Sequence, residues 1–131
     1  MIVLHNTAGG LIGSLKTLCD PNRQASAHYM VGRDGLIYCL VNEEMAAWHA
    51  GNREVNPKSI GIELVASDKE PGMTVVQEAA LVELIADIRS RYTIKLSDII
   101  PHRKVRATAC PGFVWPTDKD LEDWKATKLG E

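Results

Sequence analysis

The sequence predicts an α/β fold in which a mixed central β-sheet is flanked by helices. Short apolar runs with strand character alternate with amphipathic segments along the chain, which favours strands connected through helices. Two of the runs flank Asp34-Gly35, a dipeptide typical of the tight turn in an antiparallel hairpin. The sheet is therefore expected to combine parallel and antiparallel neighbours. No repeat, low-complexity tract or linker interrupts the 131 residues, so we expect a single domain over residues 1–131.

Five apolar segments have the length and composition of strands. They span residues 2–4, 28–31, 36–41, 59–65 and 99–100. The first is β-branched and leads into His5 and a loop rich in small residues. The fourth alternates apolar residues with Gly61 and Glu63, so that Glu63 is expected on the less apolar face of the sheet.

Three segments are predicted to be helices. The first covers residues 11–18 and is closed by the turn residues Asp20-Pro21-Asn22. The second begins after Thr74, which forms a capping box with Gln77, and extends to about residue 92. Its inner face is predicted from helical spacing to contain Val75, Val76, Ala79, Ala80, Leu84, Ile85 and Ile88. The third covers residues 118–125, with Thr117 as its cap and with Leu121 and Trp124 facing inward.

Charge and hydropathy exclude several classes of partner. The formal net charge is -2 and no long Lys/Arg run is present, so nucleic acid is not expected to bind. No stretch approaches the roughly 20 apolar residues of a membrane span. The first residues, Met1 to His5, lack the charged region of a secretory signal. We therefore expect no membrane partner and a protein made in the cytoplasm without a signal peptide.

The three cysteines do not form the even-numbered framework of a disulfide-stabilised domain. Cys39 lies in the alternating run 36–41 and is predicted to be a buried apolar residue. Cys19 precedes a helix-ending turn, where an exposed or half-buried thiol is expected. Cys110 is left as the cysteine with a potential chemical role.

His5, His102 and Cys110 are candidate ligands of a metal ion. Each adjoins the end of a predicted strand, and the strand ends of an open sheet are where functional sites gather. Imidazole and thiolate suit Zn²⁺, and a catalytic zinc usually keeps three protein ligands and one open position. The spacing is not a specific motif, so from these residues alone the alternative stays open that they are ordinary polar residues near the surface.

Other polar residues have more than one interpretation. Glu63 interrupts an apolar strand, either as a general base for hydrolysis or as the partner of a Lys or Arg at the sheet edge. His49, which follows Trp48, is a candidate substrate-binding residue beside an aromatic wall, whereas His28 is expected to be structural. Cys110 with His102 also permits a cysteine hydrolase, although no G-x-S-x-G nucleophile elbow is present.

Five stretches in the same order and spacing resemble the family of zinc amidases that includes phage lysozyme-like amidases, bacterial muropeptide-recycling amidases and peptidoglycan recognition proteins. The stretches are 2–9, 26–38, 47–51, 59–64 and the pair 102–103 with 109–112. Together they cover nearly the whole chain. The resemblance implies the fold of peptidoglycan recognition proteins and their related amidases.

The resemblance assigns roles to the candidate residues. His5, His102 and Cys110 match the three zinc ligands of the family, and Glu63 matches the catalytic carboxylate of its bacterial branch. Some phage members instead have a Tyr immediately before the hairpin histidine, but that position is Ala27 here, which leaves Glu63 as the expected base.

Three further residues match positions around the family's active site. Thr108 occupies the place where many members have a Lys that stabilises the oxyanion and where catalytic recognition proteins have Thr. Because a hydroxyl donates a weaker hydrogen bond than an ammonium group, modest activity is expected. Trp48 and His49 match a wall of the substrate groove.

The implied activity is zinc-dependent hydrolysis of the amide bond between N-acetylmuramic acid and L-alanine in peptidoglycan, with peptidoglycan or a muropeptide as partner. A phage-type endolysin acting on the cell wall, or its catalytic domain, is the expected role. A cytosolic muropeptide-recycling amidase is one alternative. Another is a recognition module without catalysis, but such members typically lack the thiolate ligand that Cys110 supplies.

Overall fold

The computed structural model describes residues 1–23 and 25–130, and within them all strands belong to one five-stranded sheet. The strands are β1 (Ile2–Asn6), β2 (Tyr29–Val31), β3 (Ile37–Cys39), β4 (Ile60–Leu64) and β5 (Ile99–Pro101). Their order across the sheet is β3-β2-β4-β1-β5. Only the β2–β3 hairpin is antiparallel, while β2–β4, β4–β1 and β1–β5 are parallel. The predicted mixed sheet is confirmed.

Three helices flank the sheet, namely α1 (Leu11–Leu18), α2 (Val75–Arg91) and α3 (Asp118–Lys128). Capping boxes begin two of them, formed by Thr74 with Gln77 in α2 and by Thr117 with Asp120 in α3. Each satisfies backbone N–H groups that the first helical turn leaves without partners. In the described part of the chain, no helix has both the length and the apolar character needed to cross a membrane.

The two faces of the sheet carry different kinds of side chain, because the side chains of a strand alternate between the faces. Ile2 and Leu4 of β1 and Ile62 of β4 lie in the hydrophobic core that α2 and α3 also enter. His5 and Glu63 occupy the alternate positions and therefore point to the opposite face. The core face provides stability, while the opposite face carries the titratable groups.

The inner face of α2 differs at its first turn from the predicted one. Gln77, Leu81, Leu84, Ile85 and Ile88 are its buried residues. Val75 and Val76 are 86% and 54% exposed, because the inward position of the first turn is taken by Gln77. The predicted inner positions are thus wrong at these two valines and also at Ala79, which is exposed.

The hairpin also corrects two details. Cys39 is exposed rather than buried, because β3 is the edge strand of the sheet and has a neighbour on one side only. In the turn, Gly35 has a φ of 83°, as expected of a hairpin glycine. Asp34, the other residue of the turn, accepts the N–H of Leu36 on its carboxylate Oδ1 at 3.1 Å.

We expect Gln77→Ala to lower the free energy of unfolding by about 2–3 kcal/mol, because buried carbonyls would lose their donor. Gln77 Nε2 donates to Val31 O at 3.1 Å and Val65 O at 3.0 Å, and its Oε1 accepts the N–H of Thr74 at 3.2 Å. Urea unfolding measures the change. Val75→Ala, at an exposed position of the same helix, is the control and should change stability by less than about 0.5 kcal/mol. Equal stability of the two variants would contradict this role of Gln77.

Candidate metal centre

Two parallel strands bring His5 and His102 together. Leu4 of β1 is the register partner of Pro101, the last residue of β5. The residue that follows each of them in the chain is a histidine, His5 within β1 and His102 directly after β5, and because the strands are parallel both histidines emerge at the same edge of the sheet. Their ring centroids are 4.3 Å apart.

Cys110 reaches the same place through a loop. The backbone N–H of Asn6 donates to Cys110 Sγ at 3.2 Å, and the N–H of Arg103 donates to Cys110 O at 2.9 Å. One potential ligand atom from each of His5, His102 and Cys110 lies within 4.8 Å of the others. The structure thus brings together the three residues that the sequence identified as candidate ligands.

The three side chains fit a zinc ion in both geometry and chemistry. Around a tetrahedral Zn²⁺, N and S ligand atoms lie about 3.3–3.8 Å apart, so a small closing movement of the side chains is sufficient. Burial holds the pKa of His5 well below its usual value, and burial also lowers the pKa of His102. Both imidazoles are therefore neutral, which is the form that binds metal. Burial raises the pKa of the Cys110 thiol to about 12, so ionisation of this thiol costs free energy. A divalent cation offsets that cost because it stabilises the thiolate.

Glu63 lies beside the cluster because it is the register partner of His5 on the neighbouring parallel strand. Its Oε1 is 3.8 Å from His5 Nδ1. Its Oε2 is buried with no hydrogen-bond partner, and burial raises the pKa of this carboxyl group to about 8. Within residues 1–23 and 25–130, no Lys or Arg pairs with it. The structure therefore favours the general base over the edge ion pair.

A cavity of about 480 Å³ opens at Glu63. The loop between β1 and α1 and one side of α1 form its walls, through Thr7, Ala8, Gly9, Gly10, Gly13, Ser14, Thr17 and Leu18. Sequence reasoning treated this segment only as a loop and a short helix. The small residues of this segment were the feature of the sequence that could have indicated the cavity, because they leave room for a ligand next to the carboxylate.

Trp48 and His49 are neighbours in sequence but have different environments. Trp48 is 56% exposed and borders two surface cavities. His49 is buried, with Nδ1 2.9 Å from His5 Nε2 and Nε2 2.9 Å from Ser59 Oγ. Burial lowers the pKa of His49 to about 4. Both of its ring nitrogens contact protein groups, and a role in substrate binding stays a prediction for both residues.

Thr108 lies at the surface, whereas His28 lies in the interior. Thr108 is exposed, and its hydroxyl oxygen accepts the N–H of Cys110 at 3.2 Å. His28 is fully buried, donates from Nε2 to Met45 O at 2.7 Å and accepts the N–H of Gly61 on Nδ1 at 3.0 Å. The structural role expected of His28 is confirmed.

Comparison with known proteins adds independent findings. The family model described as N-acetylmuramoyl-L-alanine amidase matches residues 1–113. The chain is 34% identical to the N-acetylmuramoyl-L-alanine amidase AmiD of Escherichia coli, over 80% of this chain and 45% of AmiD. It is 29% identical to XlyA of Bacillus subtilis, of which it covers 43%. The chain thus spans less than half the length of these curated relatives.

Solved structures share the fold. AmpDh3 of Pseudomonas aeruginosa, solved in complex with an anhydromuramic pentapeptide, has a TM-score of 0.78 at 30% identity, over 93% of this chain and 58% of AmpDh3. The amidase LysC of Clostridium intestinale has a TM-score of 0.81 at 27% identity, over 100% of this chain and 85% of LysC.

We expect the protein to bind about one Zn²⁺ per chain, and we expect Cys110→Ala to weaken that binding at least tenfold because it removes one of three ligands. Isothermal titration with a competing chelator measures both quantities. Cys39→Ala, at an exposed thiol of the edge strand, is the control and should bind zinc like the parent. Equal affinity of the Cys110 and Cys39 variants would show that the thiolate is not a ligand.

Proposed function

The chain belongs to the N-acetylmuramoyl-L-alanine amidase family, and on that premise we propose that it hydrolyses the amide bond between N-acetylmuramic acid and L-alanine in peptidoglycan. In this proposal His5, His102 and Cys110 hold one zinc ion. The observation that carries the proposal is the meeting of these three side chains, at the edge of a cavity, with a carboxyl group whose Oε2 is buried and has no hydrogen-bond partner.

Zinc, when bound, supplies an electrophilic centre that polarises a carbonyl group and makes water more acidic. The chain contributes the remaining functions. Its two neutral imidazoles and one thiolate carry a total charge of -1, so the site with Zn²⁺ stays cationic. Glu63, which lies 3.8 Å from His5, would be favoured in its carboxylate form by a cation held at these residues, and this would oppose the effect of burial on its pKa.

Glu63 moves the proton in the proposed reaction. Its carboxylate takes a proton from the attacking water and later delivers it to the nitrogen of the departing L-alanine. Oε2 has no hydrogen-bond partner, so no hydrogen bond at that atom has to break when the carboxylate takes up the proton. The cavity beside Glu63 is the proposed place of the scissile bond.

Thr108 and Trp48 have proposed roles in handling the substrate. The hydroxyl oxygen of Thr108 already accepts a backbone N–H, so its proton is available for donation to the carbonyl oxygen as negative charge develops there. The exposed Trp48 ring offers a flat apolar surface beside the surface cavities, a suitable contact for a sugar or peptide.

Intact cell-wall peptidoglycan is the proposed substrate, as for a phage-type endolysin or its catalytic domain. The support is the likeness to LysCS of Clostridium intestinale, described as an endolysine amidase, at 27% identity and a TM-score of 0.80 over 100% of this chain.

We expect Glu63→Gln to lower turnover by at least a hundredfold while zinc stays bound, because the amide cannot accept the proton of water. Release of free L-alanine amino groups from purified peptidoglycan measures turnover. Burial disfavours the carboxylate, so the variant should be at least as stable as the parent. Glu54→Gln, at an exposed carboxylate, is the control and should retain parental turnover. If the Glu63 variant cleaves as fast as the parent, Glu63 is not the base.

We expect intact sacculi to be hydrolysed faster than soluble anhydro-muropeptides at equal concentrations of cleavable bonds. Chelation should abolish hydrolysis of both substrates and added zinc should restore it. Faster cleavage of the soluble substrate would instead support a recycling amidase, and binding without cleavage would support a recognition module. Activity that withstands chelators but is lost on thiol alkylation would indicate a cysteine hydrolase built on Cys110 and His102.

A further inference from the structure

The hydrogen bonds around the two candidate imidazole ligands decide which ring nitrogen each one presents. A neutral imidazole has one N–H donor and one lone pair, and only the nitrogen with the lone pair can bind a metal. The partner of the other nitrogen therefore selects the ligand atom. Both partners come from adjacent residues of one segment, His49 and Ala50.

The tautomer of His102 follows from one contact. His102 Nε2 lies 2.8 Å from the backbone carbonyl oxygen of Ala50. Because a carbonyl oxygen only accepts, Nε2 carries the proton. The lone pair is then on Nδ1.

The tautomer of His5 follows from a chain of three hydrogen bonds. Ser59 donates its hydroxyl proton to Val55 O at 2.7 Å, so its oxygen accepts from His49 Nε2 at 2.9 Å. His49 Nδ1 is then the acceptor, and it receives the Nε2 proton of His5 at 2.9 Å. This arrangement uses each proton once and places the lone pair of His5 on Nδ1.

Nδ1 is also the nitrogen of His5 that lies beside Glu63. It lies 3.8 Å from Glu63 Oε1, whereas Nε2 points to the buried His49 ring. A metal ion held by His5 Nδ1 is consequently next to the proposed base. The opposite tautomer would direct the lone pair into the protein interior.

Two features hold the His49 ring in place. A Cβ atom on Gly61 would lie 2.3 Å from His49 Cγ, so the ring packs directly on the backbone of β4 at a position where glycine is otherwise unfavourable for a strand. The N–H of Ala50 donates to Asn56 Oδ1 at 3.0 Å, which anchors the same segment. The His49 ring is buried and has little freedom to turn.

We propose that His49 is a positioning residue which fixes His5 in the tautomer that binds metal through Nδ1, while the adjacent Ala50 carbonyl does the same for His102. This inference rests on the proposed metal site. In this proposal His49 acts by fixing the tautomer of His5, whereas the sequence predicted that His49 would contact the substrate.

Nitrogen-15 NMR of the imidazole rings in the metal-free parent protein gives the direct test, because it distinguishes protonated from unprotonated ring nitrogens. The expected result is a proton on Nε2 and none on Nδ1 for both His5 and His102. A proton on His5 Nδ1 would overturn the proposal. The measurement needs neither zinc nor substrate, so its outcome is independent of whether the protein is an amidase.

Variants at His49 test the consequence for metal binding. His49→Phe keeps a buried ring but removes the acceptor, and it should weaken zinc binding about 10–100-fold and give a mixture of His5 tautomers. His49→Asn, whose amide oxygen lies near the position of Nδ1, should recover part of the affinity. Parental affinity and an unchanged His5 tautomer in His49→Phe would overturn the proposal. If His49→Phe does not fold, the tautomers of the parent decide.

His28→Gln is the control, because His28 is a buried histidine bonded on both ring nitrogens that makes no hydrogen bond to His5, although its ring stands edge-on to His49 with centroids 5.8 Å apart. It should lower stability while leaving the His5 tautomer unchanged. Failure of the parent to bind zinc would refute the metal site of the proposed function, whereas the NMR result would still stand for His49.

Discussion

The parallel register of β1 with its two neighbours is the constraint on which the rest of the structure depends. It sets His5 opposite Glu63 on β4 and one residue beyond the pairing of Leu4 with Pro101 on β5. All residues of β1 are buried, so a shift by one position would turn His5 into the core and Leu4 out of it. The hydrophobic pattern of the strand thus fixes the positions of His5 and Glu63 relative to each other.

Burial at this edge of the sheet shifts the pKa values of the candidate metal ligands and of Glu63. The same exclusion of water raises the pKa of Glu63 and of Cys110 and lowers that of His5. Each shift disfavours a charged form, so the metal-free cluster is a set of neutral groups with a carboxyl oxygen that lacks a partner. The opposite face of the sheet, packed on α2 and α3, provides stability that offsets the cost of burying these polar groups.

The sequence predicted correctly those features that depend on residues close together in the chain. α1, the capping box of α2 and the strand that bears Glu63 follow from periodicity and caps over a few residues, and all are confirmed. The predictions for Val75 and Cys39 are wrong, because exposure depends on which neighbours cover a position and not on hydrophobicity alone. The cavity beside Glu63 had no specific motif, since small residues in a loop are equally typical of an ordinary turn.

The sequence by itself determined the order and type of the elements, and with the resemblance it identified the ligand candidates and the carboxylate, because these depend on residue type and spacing. Only the tertiary structure decided that His5, His102 and Cys110 converge, that Glu63 has no Lys or Arg partner among the described residues and that His49 is bonded to His5. The physical reason is that such contacts join residues far apart in the chain, such as His5 and Cys110. Their geometry is set by strand register and loop packing, which no local pattern encodes.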